Sequence, residues 1–244
     1  MPEVTIAEMV RNGTMTAEMA AVIWAAVDEK VSFLTAAIPR FAGKTTTSNA
    51  ALALRRPDVA LTWIDGTREQ TERLANERRG GYLAVAEFEQ APMPGYIWGE
   101  PVRRVFQTAV DAGYSLQGVL HASSVEQAIE EVVRGNGVTD EHCSIFKLVL
   151  YIERLGTYGS YSRRLHTLYE LDRVEDAKPV GRALFRWRSE DDTFEKLNEP
   201  SHWGKGSEDI ARRADVFRSL ADAGKTAPED VAYALAEFRT KAAA

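Results

Sequence analysis

In the first half of the chain, short apolar runs alternate with amphipathic stretches, and each run leads into a polar side chain. The runs are 31–37, 59–64, 96–98 and 116–120, and they lead to Lys44, Asp65, Glu100 and His121. Apolar runs of this length, bounded by turn residues, read as buried strands. Strands alternating with helices predict an α/β fold with a mostly parallel sheet covered on both faces. Parallel strands present their C-terminal ends on one edge, where ligands of open α/β sheets bind. The pattern alone therefore gathers Lys44, Asp65, Glu100 and His121 at one edge.

The rest of the chain fills in around that pattern. Residues 5–30 read as two short helices broken at Asn12-Gly13, with Thr16 capping the second. Helices are expected over 44–54, 101–113 and 124–134, the second of them started by Pro101. Beyond Gly137, aromatic and β-branched residues predict strands over 145–155, 161–174 and 183–197. Leu165, Leu168 and Leu171 break strict alternation there. Residues 200–207 form a loop, and two helices, 207–223 and 228–241, close the chain on either side of Gly224. The expected organisation is a helical lead-in over 1–30, a core with a β-rich extension over 31–200, and a helical subdomain over 201–244.

Composition removes several classes of function. Hydrophobic residues make up 45% and charged residues 27% of 244, enough for a large core. Thirty basic against thirty-six acidic residues give a net charge of −6, so no nucleic-acid partner is expected. The single cysteine, Cys143, excludes an internal disulfide framework and fits a reducing compartment. The apolar stretches are too short for a bilayer, and no basic segment followed by an apolar run opens the chain, which reads as cytoplasmic. His142, His166 and His202 have no metal-ligand spacing with the cysteine.

Gly43-Lys44-Thr45-Thr46, between a strand and a helix, is the second half of a phosphate-binding loop. The N–H groups at a helix start attract anions, a lysine there reaches the β- and γ-phosphates, and a hydroxyl can ligate Mg²⁺. The full pattern has glycine five residues before Gly43, where this chain has Ile38, and Phe41 lies two residues before Gly43. Glu100, after the run 96–98, is placed to hold Mg²⁺ or orient an attacking water, and Asp65 with Glu69 to polarise and position that water. His121 is placed to hydrogen-bond a γ-phosphate oxygen. Arg68, Arg73, Arg78, Arg79, Arg103 and Arg104 are candidates for a positive charge delivered from a second subunit.

In this order the elements resemble the secretion-superfamily motor ATPases of type II and type IV secretion and of archaellum, type IV pilus and Tad-pilus assembly. Residues 4–30 resemble the family's helical lead-in. AGKTTTSNAAL (42–52) resembles its Walker A helix, LTWIDGTRE (61–69) its Asp box, and YIWGE (96–100) its Walker B. FQTAVDAGYSLQGVLHASSVEQAI (106–129) resembles its His box, and ALFRWRSEDDTFEKL (183–197) with the closing helices its C-terminal part. The resemblance implies a RecA-like P-loop NTPase core, ATP and Mg²⁺, a hexameric ring or a ring with paralogues, and a membrane-embedded platform protein as partner, which brings the protein to the inner face of the membrane. By the same resemblance Gly43, Lys44, Thr45 and Thr46 bind nucleotide, Thr45 and Glu100 hold the metal, and Glu100, Asp65, Glu69 and His121 serve catalysis. Ile38 and Phe41 depart from the family's phosphate loop, and the family's large N-terminal domain has no counterpart in the sequence. Two readings are therefore carried: an ATP-hydrolysing motor subunit, and a degenerate, non-hydrolysing homologue acting as an interaction or regulatory subunit.

Overall fold

The computed structural model describes residues 4–39, 41–157 and 160–243. Two helices lead in, α1 (Ile6–Arg11) and α2 (Ala17–Asp28), their N-termini capped by the Thr5 and Thr16 hydroxyls. Each such cap contributes about 1 kcal/mol. Then follow β1 (Ser32–Ile38), α3 (Lys44–Leu52), β2 (Leu61–Trp63), α4 (Arg68–Glu77), β3 (Tyr82–Ala84), α5 (Glu100–Ala112), β4 (Ser115–Leu120) and α6 (Val125–Glu130). A π-turn over Glu131–Gly135 extends α6, and a single turn, α7 (Asp140–Cys143), precedes the β-rich part. That part is β5 (Phe146–Thr157), β6 (Ser160–Glu175), β7 (Lys178–Arg188) and β8 (Thr193–Lys196), followed by α8 (Ser207–Asp222) and α9 (Pro228–Ala243).

The strands form one sheet in the order β2-β3-β4-β1-β5-β6-β7-β8. The first five run parallel, and β6, β7 and β8 join antiparallel, so the fold is mixed α/β with a mostly parallel central sheet. A core lies on each face. One gathers α1, α2, α3, α8 and α9, and the other gathers α4, α5, α6 and Cys143 of α7. Helix α2 is apolar nearly all round and correspondingly sunk, with Trp24 fully buried.

Two expectations need correction. The run 96–98 is not a strand: Tyr96 makes one isolated bridge to Glu87, in a stretch of turns that contains Pro92, Pro94 and Gly95. The third parallel strand is instead β3, from the apolar run that starts after Gly80-Gly81. Residues 183–197 are not one strand but the end of β7 and all of β8, joined by a turn over 189–192. The irregular leucines of β6 have a simple cause. Tyr151 pairs with Thr167 and Ile152 with Leu165, so His166 is an extra residue. The bulge brings Leu165 and Leu168 to the same face, and Leu171 falls by ordinary alternation into the opposite core.

Candidate functional site

The connections place the site. Helix α3, which follows β1, packs on one face of the sheet, and α6, which follows the adjacent β4, packs on the other. The crevice between neighbouring parallel strands whose helices leave in opposite directions is the topological switch point, where α/β sheets bind ligands. The β1–α3 loop and the end of β4 both open there.

Gly43 holds the N-cap of α3 in the left-handed region, φ 95. The N–H groups of the first helical turn have no intrahelical acceptor and carry the positive end of the helix dipole. Lys44 begins the helix, yet its side chain is only 6% exposed. Its Nζ lies 3.1 Å from His121 Nδ1 and 3.2 Å from Glu87 Oε1. His121 follows directly on β4, and its Nε2 is 3.1 Å from the same Glu87 oxygen and 3.9 Å from Glu89 Oε2. The ammonium, the imidazole and the two acids form one compact cluster.

Glu87 reaches the cluster because β3 does not stop pairing where it stops being regular. Val85 N donates to Gln117 O at 3.0 Å and Phe88 N to Val119 O at 2.7 Å. Three residues of chain thus span two of β4, and the surplus bows Glu87 out at the C-terminal edge. Gly118 makes this possible, since a Cβ there would sit 2.5 Å from the Phe88 ring.

A cleft of ≈ 390 Å³ opens beside the cluster, lined by Phe88, Glu89, Gln90, Trp98, Leu120, His121 and Glu131. Its wall is pinned by Asn136, whose side-chain oxygen accepts from Gly99 N at 2.8 Å. A carboxylate oxygen of Glu87, one of Glu89 and a ring nitrogen of His121 lie close enough together to hold a metal ion. A larger depression of ≈ 580 Å³ lies at the opposite edge, among Ser32, Tyr114, Ser115 and Lys147. The strands begin there, and that end of a parallel sheet lacks the helix N-termini that bind anions.

Of the residues singled out from sequence, Gly43, Lys44 and His121 meet at this crevice, with Thr45 and Thr46 exposed on the first turn of α3. The acids expected beside them do not join. Glu100 starts α5, 51% exposed, and pairs with Arg104 and, at 3.5 Å, with Arg68. Asp65 follows the edge strand β2, three inter-strand spacings or roughly 14 Å from β1. Its Oδ1 accepts from the N–H and hydroxyl of Thr67, 2.8 Å each, which organises the start of α4. Glu69 is exposed in the first turn of that helix. Arg73 and Arg79 face Glu77, Arg78 ends α4 in the left-handed region, and Arg103 donates to Asn136 O. Glu87 and Glu89 were missed from sequence, although a five-residue apolar run ending on an acid announces them.

No protein-family model matches the chain. It is 27% identical over 221 residues to an uncharacterised protein of Methanocaldococcus jannaschii, an alignment that covers 79% of this chain and 78% of that protein. Among solved structures it is similar to the VirB11 ATPase of the Brucella suis type IV secretion system in complex with sulphate, at 14% identity and a TM-score of 0.45. That match covers 62% of this chain and about half of the other, 51%. No helix among the described residues is long and apolar enough to cross a membrane.

Proposed function

We propose that the chain is an ATP-binding, ATP-hydrolysing motor-type subunit with a RecA-like P-loop core, serving pilus assembly or protein secretion. What supports this reading is the convergence of Lys44, Glu87 and His121 at the switch point, beside the N-terminus of α3. A buried lysine next to free helix N–H groups suits a polyphosphate. Lys44 and the first-turn N–H groups of α3 would hold the β- and γ-phosphates. The Thr45 hydroxyl, with Glu89, would hold Mg²⁺, which neutralises charge developing on the transferred phosphoryl group.

In this reading Glu87 takes the role that the sequence assigned to Glu100. Its carboxylate is held by Lys44 and His121. When Lys44 turns to a phosphate, Glu87 loses a counter-ion and becomes available to accept a proton from water. His121 touches both partners of that exchange and couples them. A ring of six copies or of paralogues, a membrane platform protein, and a cytoplasmic position at the inner face of the membrane belong to the same proposal through the family resemblance.

The test is phosphate release. It should require Mg²⁺ and ATP and be lost in Lys44→Ala; turnover indifferent to that substitution would end the reading. One observation favours the second, non-hydrolysing reading. Phe41 stands in the loop at φ 66 with its side chain 81% exposed, where the resembled family has a small residue. Calorimetry with ATP and with a slowly hydrolysed analogue separates the two, because tight binding of both without phosphate release is the signature of the non-hydrolysing subunit.

A further inference from the structure

The β5–β6 hairpin lays a second cation over the same loop. β5 stays paired with β1 as far as Ile38 and Glu153, and beyond that point the hairpin continues on its own pairs to Thr157 and Ser160. Arg163 sits in this overhang, opposite Arg154. Its Nη2 donates to the carbonyl of Phe41 at 3.1 Å. A Cβ on Gly43 would come 2.8 Å from its Cδ and 3.0 Å from its Nε, so the glycine makes room for the arginine as well as turning the chain. The next arginine, Arg164, is committed elsewhere, to both oxygens of Asp192 at 2.7 Å.

Arg163 makes no ion pair among the described residues, and its Nε is buried without a hydrogen-bond partner. A guanidinium N–H withdrawn from water and given no acceptor is costly and calls for an explanation. Here it lies against Gly43, one residue from the anion-attracting end of α3. We propose that Arg163 is a phosphate ligand of this site, donating from the hairpin to the polyphosphate that Lys44 and α3 hold from the other side. This rests on the nucleotide reading and extends it. Ile38 lacks the backbone freedom of the glycine in the full motif, and a planar fork from a neighbouring strand supplies strong, directional donors to phosphate. The bond to Phe41 O fixes the guanidinium in position through Nη2 and leaves Nε for the ligand.

The test uses the full chain with magnesium pyrophosphate and with Mg·ADP. In ¹H–¹⁵N spectra the Nε–H signal of Arg163, identified by its loss in Arg163→Lys, should shift when magnesium pyrophosphate is added to the wild type. In calorimetry Arg163→Gln should bind both compounds about tenfold more weakly, with Arg163→Lys in between. An unmoved Nε–H signal in the presence of bound pyrophosphate overturns the assignment, with no dependence on how the variants fold. So does Arg163→Gln binding within twofold of wild type while Lys44→Ala does not bind, an outcome that leaves the nucleotide reading standing. Wild type that binds neither compound overturns both.

Discussion

Two buried charge clusters stabilise very different parts of this molecule. One ties α2 to the closing helices. Asp28 accepts from Arg213 at 2.7 Å and from Arg239 at 2.6 Å, one on each oxygen, and Asp209 accepts from Arg212 at 3.3 Å and from Arg213 at 2.7 Å in the same way. Arg213 also stacks over Trp24, 4.5 Å from the ring centroid. Arg239 Nε lacks an acceptor, so it is each oxygen of the acids that has a partner, not every donor. The other cluster is Lys44, Glu87, Glu89 and His121. Burial does not tell the two apart: Lys44 and Glu87 are each 6% exposed, Arg213 and Asp28 10% and 11%. The difference lies in the acids. Glu87 Oε1 is within ion-pair reach of two groups yet receives no well-directed hydrogen bond, and the cleft opens beside it. An acid with a directed hydrogen bond on each oxygen fixes a fold, whereas one left short of directed partners beside an opening keeps capacity for a ligand.

The strongest way to break this contrast is a pair of isosteric changes. Glu87→Gln should lower phosphate release about 10²–10⁴-fold, the usual worth of a general base, with stability altered by about 1 kcal/mol or less. Asp28→Asn should do the reverse, costing about 3–5 kcal/mol in urea denaturation because it takes the acid from Arg239 and leaves the buried Arg213 with Asp209 alone, while turnover of the folded fraction stays near wild type. Equal loss of stability in the two variants would erase the distinction. Gly118→Ala sharpens it on the site side. The added methyl displaces Phe88 and with it Glu87, for about 1–3 kcal/mol of overpacking and a fall in turnover that Asp28→Asn does not show.

A smaller effect is expected outside both clusters. Burial, then the nearby Arg186, holds the His166 imidazole below its ordinary range, against an opposing pull from Glu153. A histidine depressed in the folded state takes up its proton more readily when unfolded. Its contribution is therefore complete above the unfolded value near 6.5 and declines as pH falls through and below it. Thermal melts from pH 7 to pH 5 should fall less steeply in His166→Asn than in wild type, and parallel slopes would remove His166 from the acid response. The smallest expected change is Glu100→Gln. With its carboxylate half exposed and shared with Arg68 and Arg104, turnover should stay within about twofold of wild type, the range of a surface ion pair.

How far the fold and the site were legible depends on whether the signal was local. The strands ending before Lys44 and His121 could be read, because each is an apolar run long enough to cross the sheet. The acid that meets them comes from a different run than the sequence suggests. Tyr96-Ile97-Trp98 followed by Gly-Glu looks like a strand ending on a carboxylate, but it is only three residues long and follows two prolines and a glycine, which favour turns. Tyr82-Leu83-Ala84-Val85-Ala86 followed by Glu87 carries the same signature at greater length. The exclusion of Asp65 was not readable in the same way. It follows from strand order, because β2 lies at the outer edge with β3 and β4 between it and β1, and strand order is set by long-range pairing that no local window contains. The His166 bulge was visible only as its consequence, three leucines out of step.

The partners of α2 have a bearing on how the chain is made. Asp28 meets Arg213 across 185 positions of sequence and Arg239 across 211, and Glu18 meets Arg218 across 200. On the ribosome α2 emerges well before the helices that close over Trp24. Until α8 and α9 have followed, this strongly apolar helix has no lid, so their synthesis, rather than the appearance of the sheet, completes that core.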